Sequence, residues 1–178
     1  MKMFKRFAAA LLAGVMVLAM LTACGGGSGS GASTIGEEFE NKYIATLNTL
    51  RGENAEILEN DTDLHNKALA QLAKINEDGT IAATDVTIST GTPSADGKSV
   101  TVLVVAVFLK KGQPVDGMYQ AREIDAEAMG EITTDNADKN TVATMQALKK
   151  VGIATKVING KTYAAQAFEM VQPLSDET

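Results

Sequence analysis

The sequence predicts an α+β domain in which an antiparallel sheet packs against helices, an α-β-α sandwich that follows a signal peptide and a flexible tether. Three observations carry this expectation. Two amphipathic helical patterns open the folded part, between residues 36 and 76. A nearly unbroken run of β-branched and apolar residues follows from Ser99 to Leu109, as a strand covered on both faces requires. Asn159-Gly160 then separates two more strand-like stretches, and Asn-Gly is the favoured pair of a two-residue hairpin turn.

The N-terminal segment is organised for export rather than folding. Lys2, Lys5 and Arg6 form a basic start, and Phe7 to Leu21 form an apolar stretch of 15 residues. A helical membrane span needs about 20 residues, so this stretch fits the middle of a secretory signal better. Leu21-Thr22-Ala23-Cys24 then resembles the lipobox of bacterial lipoproteins, which implies cleavage after Ala23 and a diacylglyceryl group on the Cys24 sulfur. Two acyl chains give stable anchoring where one does not. Cys24 is also the only cysteine, and a lipidated thiol is protected in an oxidising compartment where a free one is exposed to reaction. The segment from Gly25 to Ser33 is almost entirely Gly and Ser, a composition that stays a flexible coil. The expected organisation is therefore a signal over residues 1–23, a lipidated Cys and tether over 24–34, and a single α+β domain over 35–175. Its expected location is the outer face of the cytoplasmic membrane or the cell envelope, lipid-anchored through Cys24.

Charge narrows the partners. The chain carries 16 basic and 22 acidic residues. Loss of Lys2, Lys5 and Arg6 with the signal leaves 13 basic against 22 acidic, a net charge of −9. A phosphate backbone is repelled by such a surface, so nucleic acid is set aside.

Within the folded part, Phe39, Tyr43, Leu47 and Leu50 lie at helical spacings, predicting a helix over Gly36–Arg51 with Thr34 and Glu37 as a capping box. Ile57 and Leu58, in the short connection that follows, are expected to tuck inward. Leu64, Ala68, Leu72 and Ile75 predict a second helix over Asp63–Asn76, capped by Asp61 or Thr62 and stopped by Asp78-Gly79. Val86 and Ile88 indicate a short strand, and Ser89–Lys98, with Gly91, Pro93 and Gly97, reads as a loop before the long strand. Residues 113–140 carry little pattern. Ala121–Met129 reads as a short helix and Asp135–Lys139 as a solvated loop. Thr141–Lys150 reads as a helix with Val142, Met145 and Leu148 inward, ended by Gly152. Ile153–Ile158 and Lys161–Val171 form the closing hairpin.

The two ends of this domain resemble the CAP (SCP-like) superfamily of secreted proteins. In Leu47-Asn48-Thr49-Leu50-Arg51, Asn48 and Arg51 match an N-x-x-R signature on the opening helix, and Asp61-Thr62-Asp63-Leu64 through Ala68 is similar to the start of the next one. Val151-Gly152-Ile153-Ala154-Thr155, the Asn159-Gly160 turn and Gln166-Ala167-Phe168 are similar to the family's closing segment. The family's metal-binding members use paired His and Glu residues around a cleft, whereas this chain has one histidine, His65. Gly52-Glu53-Asn54 spells a family tripeptide but sits directly after the first helix, away from the family's place for it. The resemblance thus implies a divergent member without the His/Glu cluster.

Other chemistry is sparse. Asp61, Asp63, Glu59 and Glu56 are read as a helix cap with solvated charges, since the calcium-loop spacing is absent. Asp125, Glu127, Glu131, Asp135 and Asp138 read as surface, and His65 as a residue on the edge of its helix. The methionines Met118, Met129, Met145 and Met170 read as core filler. No activated nucleophile motif or phosphate-cradling loop is present, and the absence of Trp argues against a sugar-stacking face. The expectation is a tethered, non-catalytic domain, without cofactor or metal ligands, that binds a protein or small-molecule partner. The alternatives are an envelope hydrolase using a carboxylate pair and a purely structural lipoprotein.

Overall fold

Phe39, Tyr43 and Leu47 recur every fourth residue, and that stripe is what the first helix buries. A computed structural model describes residues 32–134 and 139–173; the signal peptide and Cys24 lie outside them. Helix α1 spans Ala32–Arg51 and α2 spans Thr62–Leu72. Strand β1 (Thr80–Ala82) leads through one 3₁₀ turn into β2 (Thr87–Pro93), which turns back into β3 (Ser99–Val107). Then come β4 (Met118–Gln120), α3 (Ala126–Glu131), α4 (Lys139–Ala147), β5 (Leu148–Ile158) and β6 (Lys161–Pro173).

Strands β2, β3, β6 and β5 lie side by side in that order, every pair antiparallel. Alternation along β3 divides the core in two. Val102, Val104, Ala106 and Phe108 face α1, α3 and α4, together with Ile153, Ala164 and Phe168. Val105 and Val107 face α2 on the other side, with Ala154, Tyr163, Ala165 and Ala167. The sheet therefore has helices on both faces. On the α1 face, Phe108 meets Phe39 and Tyr43 edge-on, with ring centroids 5.7 and 5.6 Å away, the arrangement aromatic quadrupoles favour. Of the four methionines expected in the core, Met145 and Met170 are buried here, whereas Met118 and Met129 are only partly covered.

Two glycine-dependent features fix the closing hairpin. Asn159 and Gly160 have φ of 48° and 76°, as a type I′ turn requires. Gly152 lies where the first turn of α2 crosses β5, and a Cβ there would come within 2.2 Å of the His65 backbone nitrogen. Only a residue without a side chain permits that approach.

Several elements differ from the sequence expectation. Strand β2 occupies much of the predicted loop Ser89–Lys98, because pairing with β3 from Thr87 to Pro93 outweighs the weak strand propensity of Gly91 and Pro93. The predicted helix over Thr141–Lys150 stops at Ala147. Leu148 instead pairs with Met170, and a register shift between Leu148 and Lys150 starts β5 inside the expected helical span. Gly152 is thus an interior strand residue rather than an exit. Helix α3 begins at Ala126, where Asp125 caps it through the Ala128 N–H, rather than at Ala121, which is bridged to Leu109 in extended backbone. Helix α1 starts at Ala32, so Thr34 lies inside its first turn rather than at the N-cap, and Glu37 lies beyond that turn. Leu58 is buried, but Ile57 is 77% exposed. Strands β1 and β4 form a two-stranded sheet that no pattern announced. The loop expected over Asp135–Lys139 lies outside the described residues except for Lys139, which belongs to α4.

Candidate functional site

Polar side chains gather where the start of α2 meets β5, the strand at one edge of the sheet. An edge strand presents backbone N–H and C=O groups that must find partners. Here side chains from α1 and from the approach to α2 supply them. Asn60 donates from Nδ2 to the Ile153 carbonyl at 2.9 Å and accepts the Ile153 N–H at Oδ1, also at 2.9 Å. Its amide thus imitates a neighbouring strand. Glu40 Oε1 accepts the Thr155 N–H at 2.8 Å and the Thr155 hydroxyl at 2.7 Å. The Asp61 N–H donates to the Val151 carbonyl at 2.8 Å.

His65 completes this edge. Its Nδ1 lies 2.8 Å from the Ile153 carbonyl oxygen. A carbonyl only accepts, so Nδ1 carries the hydrogen and Nε2 is the lone-pair nitrogen of the neutral ring. Glu40 Oε2 is 3.9 Å from the same Nδ1, an ion-pair distance should the ring be protonated but too long for a hydrogen bond. The ring is about one-third exposed. Chemically, this is an oriented imidazole beside a carboxylate, with both groups committed to the β5 backbone. Among the described residues, no group of three His, Cys, Asp or Glu side chains is placed to hold a metal ion.

Asp61 caps α2 as expected, its carboxylate accepting the N–H groups of Asp63 and Leu64 at 3.0 and 3.1 Å. The Leu64 N–H, with help from Lys150 at 3.4 Å, lowers its pKa below the usual carboxylate range. Glu56, Glu59 and Asp63 are exposed and do not converge with it.

Asn48 and Arg51, the N-x-x-R pair, also bond to backbone. Asn48 exchanges two hydrogen bonds with Leu58, each of 2.8 Å. Arg51 is buried, donating from Nε to the Met145 carbonyl and from one terminal nitrogen to the Leu148 carbonyl, both at 3.1 Å. Its other terminal nitrogen donates to the Glu56 carbonyl. One guanidinium thereby ties the end of α1 to the following loop and to the junction between α4 and β5. Gly52, Glu53 and Asn54 form an exposed turn beside it.

Comparison with protein-family models, with curated proteins and with solved structures gives no match.

Two polar groups sit deeper. The Tyr43 hydroxyl donates to Gln166 Oε1 inside the α1 face of the core, and burial pushes its pKa far up. Glu131, expected at the surface, is buried and paired with Arg122 at 3.0 Å; Ala128 beside it in α3 is turned to the core, and the short helix carries both inward. Glu40, Asn60 and Thr155 were not singled out in the sequence. Their partners lie 93 to 115 residues away along the chain, and no local pattern encodes such a pairing.

Proposed function

We propose that the chain is an envelope lipoprotein, anchored through a lipidated Cys24, whose CAP-like domain binds a partner or small ligand without catalysing a reaction. The anchor rests on the ordered series of basic start, apolar stretch, Leu21-Thr22-Ala23-Cys24 and Gly/Ser tether. The CAP-like reading is supported by helices on both faces of an antiparallel sheet, by Asn48 and Arg51 bracing the segment after α1, and by Gly152 and the Asn159-Gly160 hairpin closing the domain. Among the described residues, no helix is long and apolar enough to cross a membrane, so attachment on this reading rests on the lipid. The observation that carries the non-catalytic reading is the commitment of Glu40 and Asn60 to the β5 backbone, which leaves His65 without a free carboxylate partner for the carboxylate-pair chemistry of a hydrolase. A general base needs a free lone pair within reach of a reacting proton, and the acceptor oxygen of Glu40 nearest the sheet is already occupied twice.

Expression of the full chain in a lipoprotein-processing bacterium, with a labelled fatty acid and detergent phase partitioning, tests the anchor. The wild-type protein is expected to take up label and enter the detergent phase, whereas Cys24→Ala incorporates none. An unlabelled wild type, or label retained by Cys24→Ala, would overturn the anchor. Turnover of a cell-wall or peptide substrate by the purified protein that disappears in Glu40→Gln would favour the hydrolase instead.

A further inference from the structure

The two edges of the four-stranded sheet are treated differently. Along β5, Asn60, Glu40 and His65 take up outward backbone groups. Along β2, the ladder fixes which groups point away. Val107 N–H donates to the Val86 carbonyl at 3.0 Å, and Ser94 N–H to the Ser99 carbonyl at 2.9 Å. With the register of seven uninterrupted pairs between β2 and β3, alternation turns the backbone groups of Thr87, Ser89, Gly91 and Pro93 outward. No hydrogen bond from the described residues meets them. Natural edge strands are usually protected by charge, a bulge or a cover. Strand β2 has no charged residue and no bulge, and all but its first residue are exposed.

We propose that β2 pairs antiparallel with β2 of a second copy of this chain, joining two four-stranded sheets into one of eight. The strand is complementary to itself. A two-fold axis through Thr90 sets Ser89 opposite Gly91 and Thr87 opposite Pro93. Ser89 and Gly91 then exchange both backbone bonds, twice by symmetry. Thr87 N–H meets the Pro93 carbonyl, and since proline has no donor, only the Thr87 carbonyl stays unanswered.

Charge and position fit the same partner. The Thr87 end is flanked by Asp85 in an ion pair with Lys74 at 2.8 Å, and the Pro93 end by Asp96 and Lys98 in the turn to β3. Antiparallel pairing sets one end against the other, each with an acid and a base, so two chains of net negative charge meet along a balanced strip. Ile88, 40% exposed on the α2 side of the sheet, faces Thr92 of the second copy in this register. Helix α1 enters the fold beside β5, where Glu40 holds Thr155, so the β2 edge lies three strands away from the incoming chain.

Sedimentation velocity of the full chain in detergent, over a concentration series, tests the pairing. Ser89→Pro removes an outward donor and leaves the bonds to β3 intact. It is expected to weaken the dimer at least about tenfold, with an unchanged circular dichroism spectrum. Thr90→Cys is expected to form a disulfide-linked dimer under mild oxidation, beyond any cross-linking that Cys24 gives in the wild type. Opposed residues at a non-hydrogen-bonded antiparallel position have Cα atoms about 4.5 Å apart, within disulfide reach. A wild type that is monomeric throughout, or a dimer unaffected by Ser89→Pro and not trapped by Thr90→Cys, overturns the proposal. So does a monomeric chain whose β2 amides gain exchange protection only with an added uncharged, extended peptide, which assigns the edge to a foreign strand.

Discussion

Arg51 is a buried cation that donates to three backbone carbonyls, those of Met145, Glu56 and Leu148. Each bond carries a full charge on the donor, and such bonds are worth more than neutral ones. Lysine keeps the charge but not the planar fork that reaches three carbonyls at once. Arg51→Lys is therefore expected to lower stability by about 2–3 kcal/mol, read as a reduced urea midpoint at unchanged slope. Gly152 is a steric counterpart. Its Cβ would overlap the backbone of Leu64 and His65, groups at the start of a capped helix that cannot rotate aside. Gly152→Ala must push α2 off β5, and a loss of about 3 kcal/mol or more is expected in the same measurement. A small effect would show that α2 moves on the sheet more easily than its packing implies. Tyr43→Phe tests the buried polar pair. It leaves Gln166 Oε1 without its donor, and a loss of about 1–2 kcal/mol is expected, with no change in secondary structure.

At the scale of elements, α2 is set by its cap as much as by its apolar stripe. Asp61 satisfies two of the four N–H groups that a helix start leaves open. Because its pKa is lower in the fold than in an unfolded chain, its contribution is fully present above the ordinary carboxylate range. It is lost as pH falls through and below that range. Asp61→Ala is expected to cost about 1 kcal/mol at neutral pH. Asp61→Asn retains most of the cap and removes the acid dependence that this residue contributes, measurable as melting temperature between neutral and acid pH. If Asp61→Asn keeps the wild-type dependence of melting temperature on pH, the charge on Asp61 has no part in the capping. The β5–β6 hairpin was readable from two residues because its turn is local, whereas the extent of β2 was not. Gly91 and Pro93 look like loop residues, and only the ladder with β3 makes a strand of them.

For the whole molecule, the sheet is closed along one edge by borrowed side chains and, among the described residues, left open along the other. That asymmetry directs association toward β2 and leaves β5 as an internal seam. The same seam ties residues far apart in sequence: α1 through Glu40, the connection through Asn60, α2 through His65. Loss of one anchor is expected to loosen the N-terminal half before the β3–β6 centre. Hydrogen exchange of Asn60→Ala should show faster exchange at Ile153 and the start of α2, with the amides of β3 and β6 unchanged.

What the sequence determined by itself was local or periodic. The apolar stripes of α1 and α2, the doubly covered strand read over Ser99 to Leu109 (Ser99 to Val107 in the fold) and the Asn159-Gly160 turn all follow from spacings of a few residues, which set backbone preference before any partner is present. The α+β class with antiparallel strands against helices followed from their order. Tertiary structure decided the rest. Leu148, Lys149 and Lys150 suit a helix locally, yet they join β5 because the sheet offers Leu148 a buried place opposite Met170. Glu131 carries a charge that belongs at the surface, yet α3 draws it inward to Arg122. The polar seam along β5 could not be read at all, since Glu40, Asn60 and His65 acquire their roles only when an edge strand from the far end of the chain is laid against them. Local propensity acts over one turn of helix or one hairpin, whereas hydrogen-bond satisfaction and burial are settled between segments that meet only on folding.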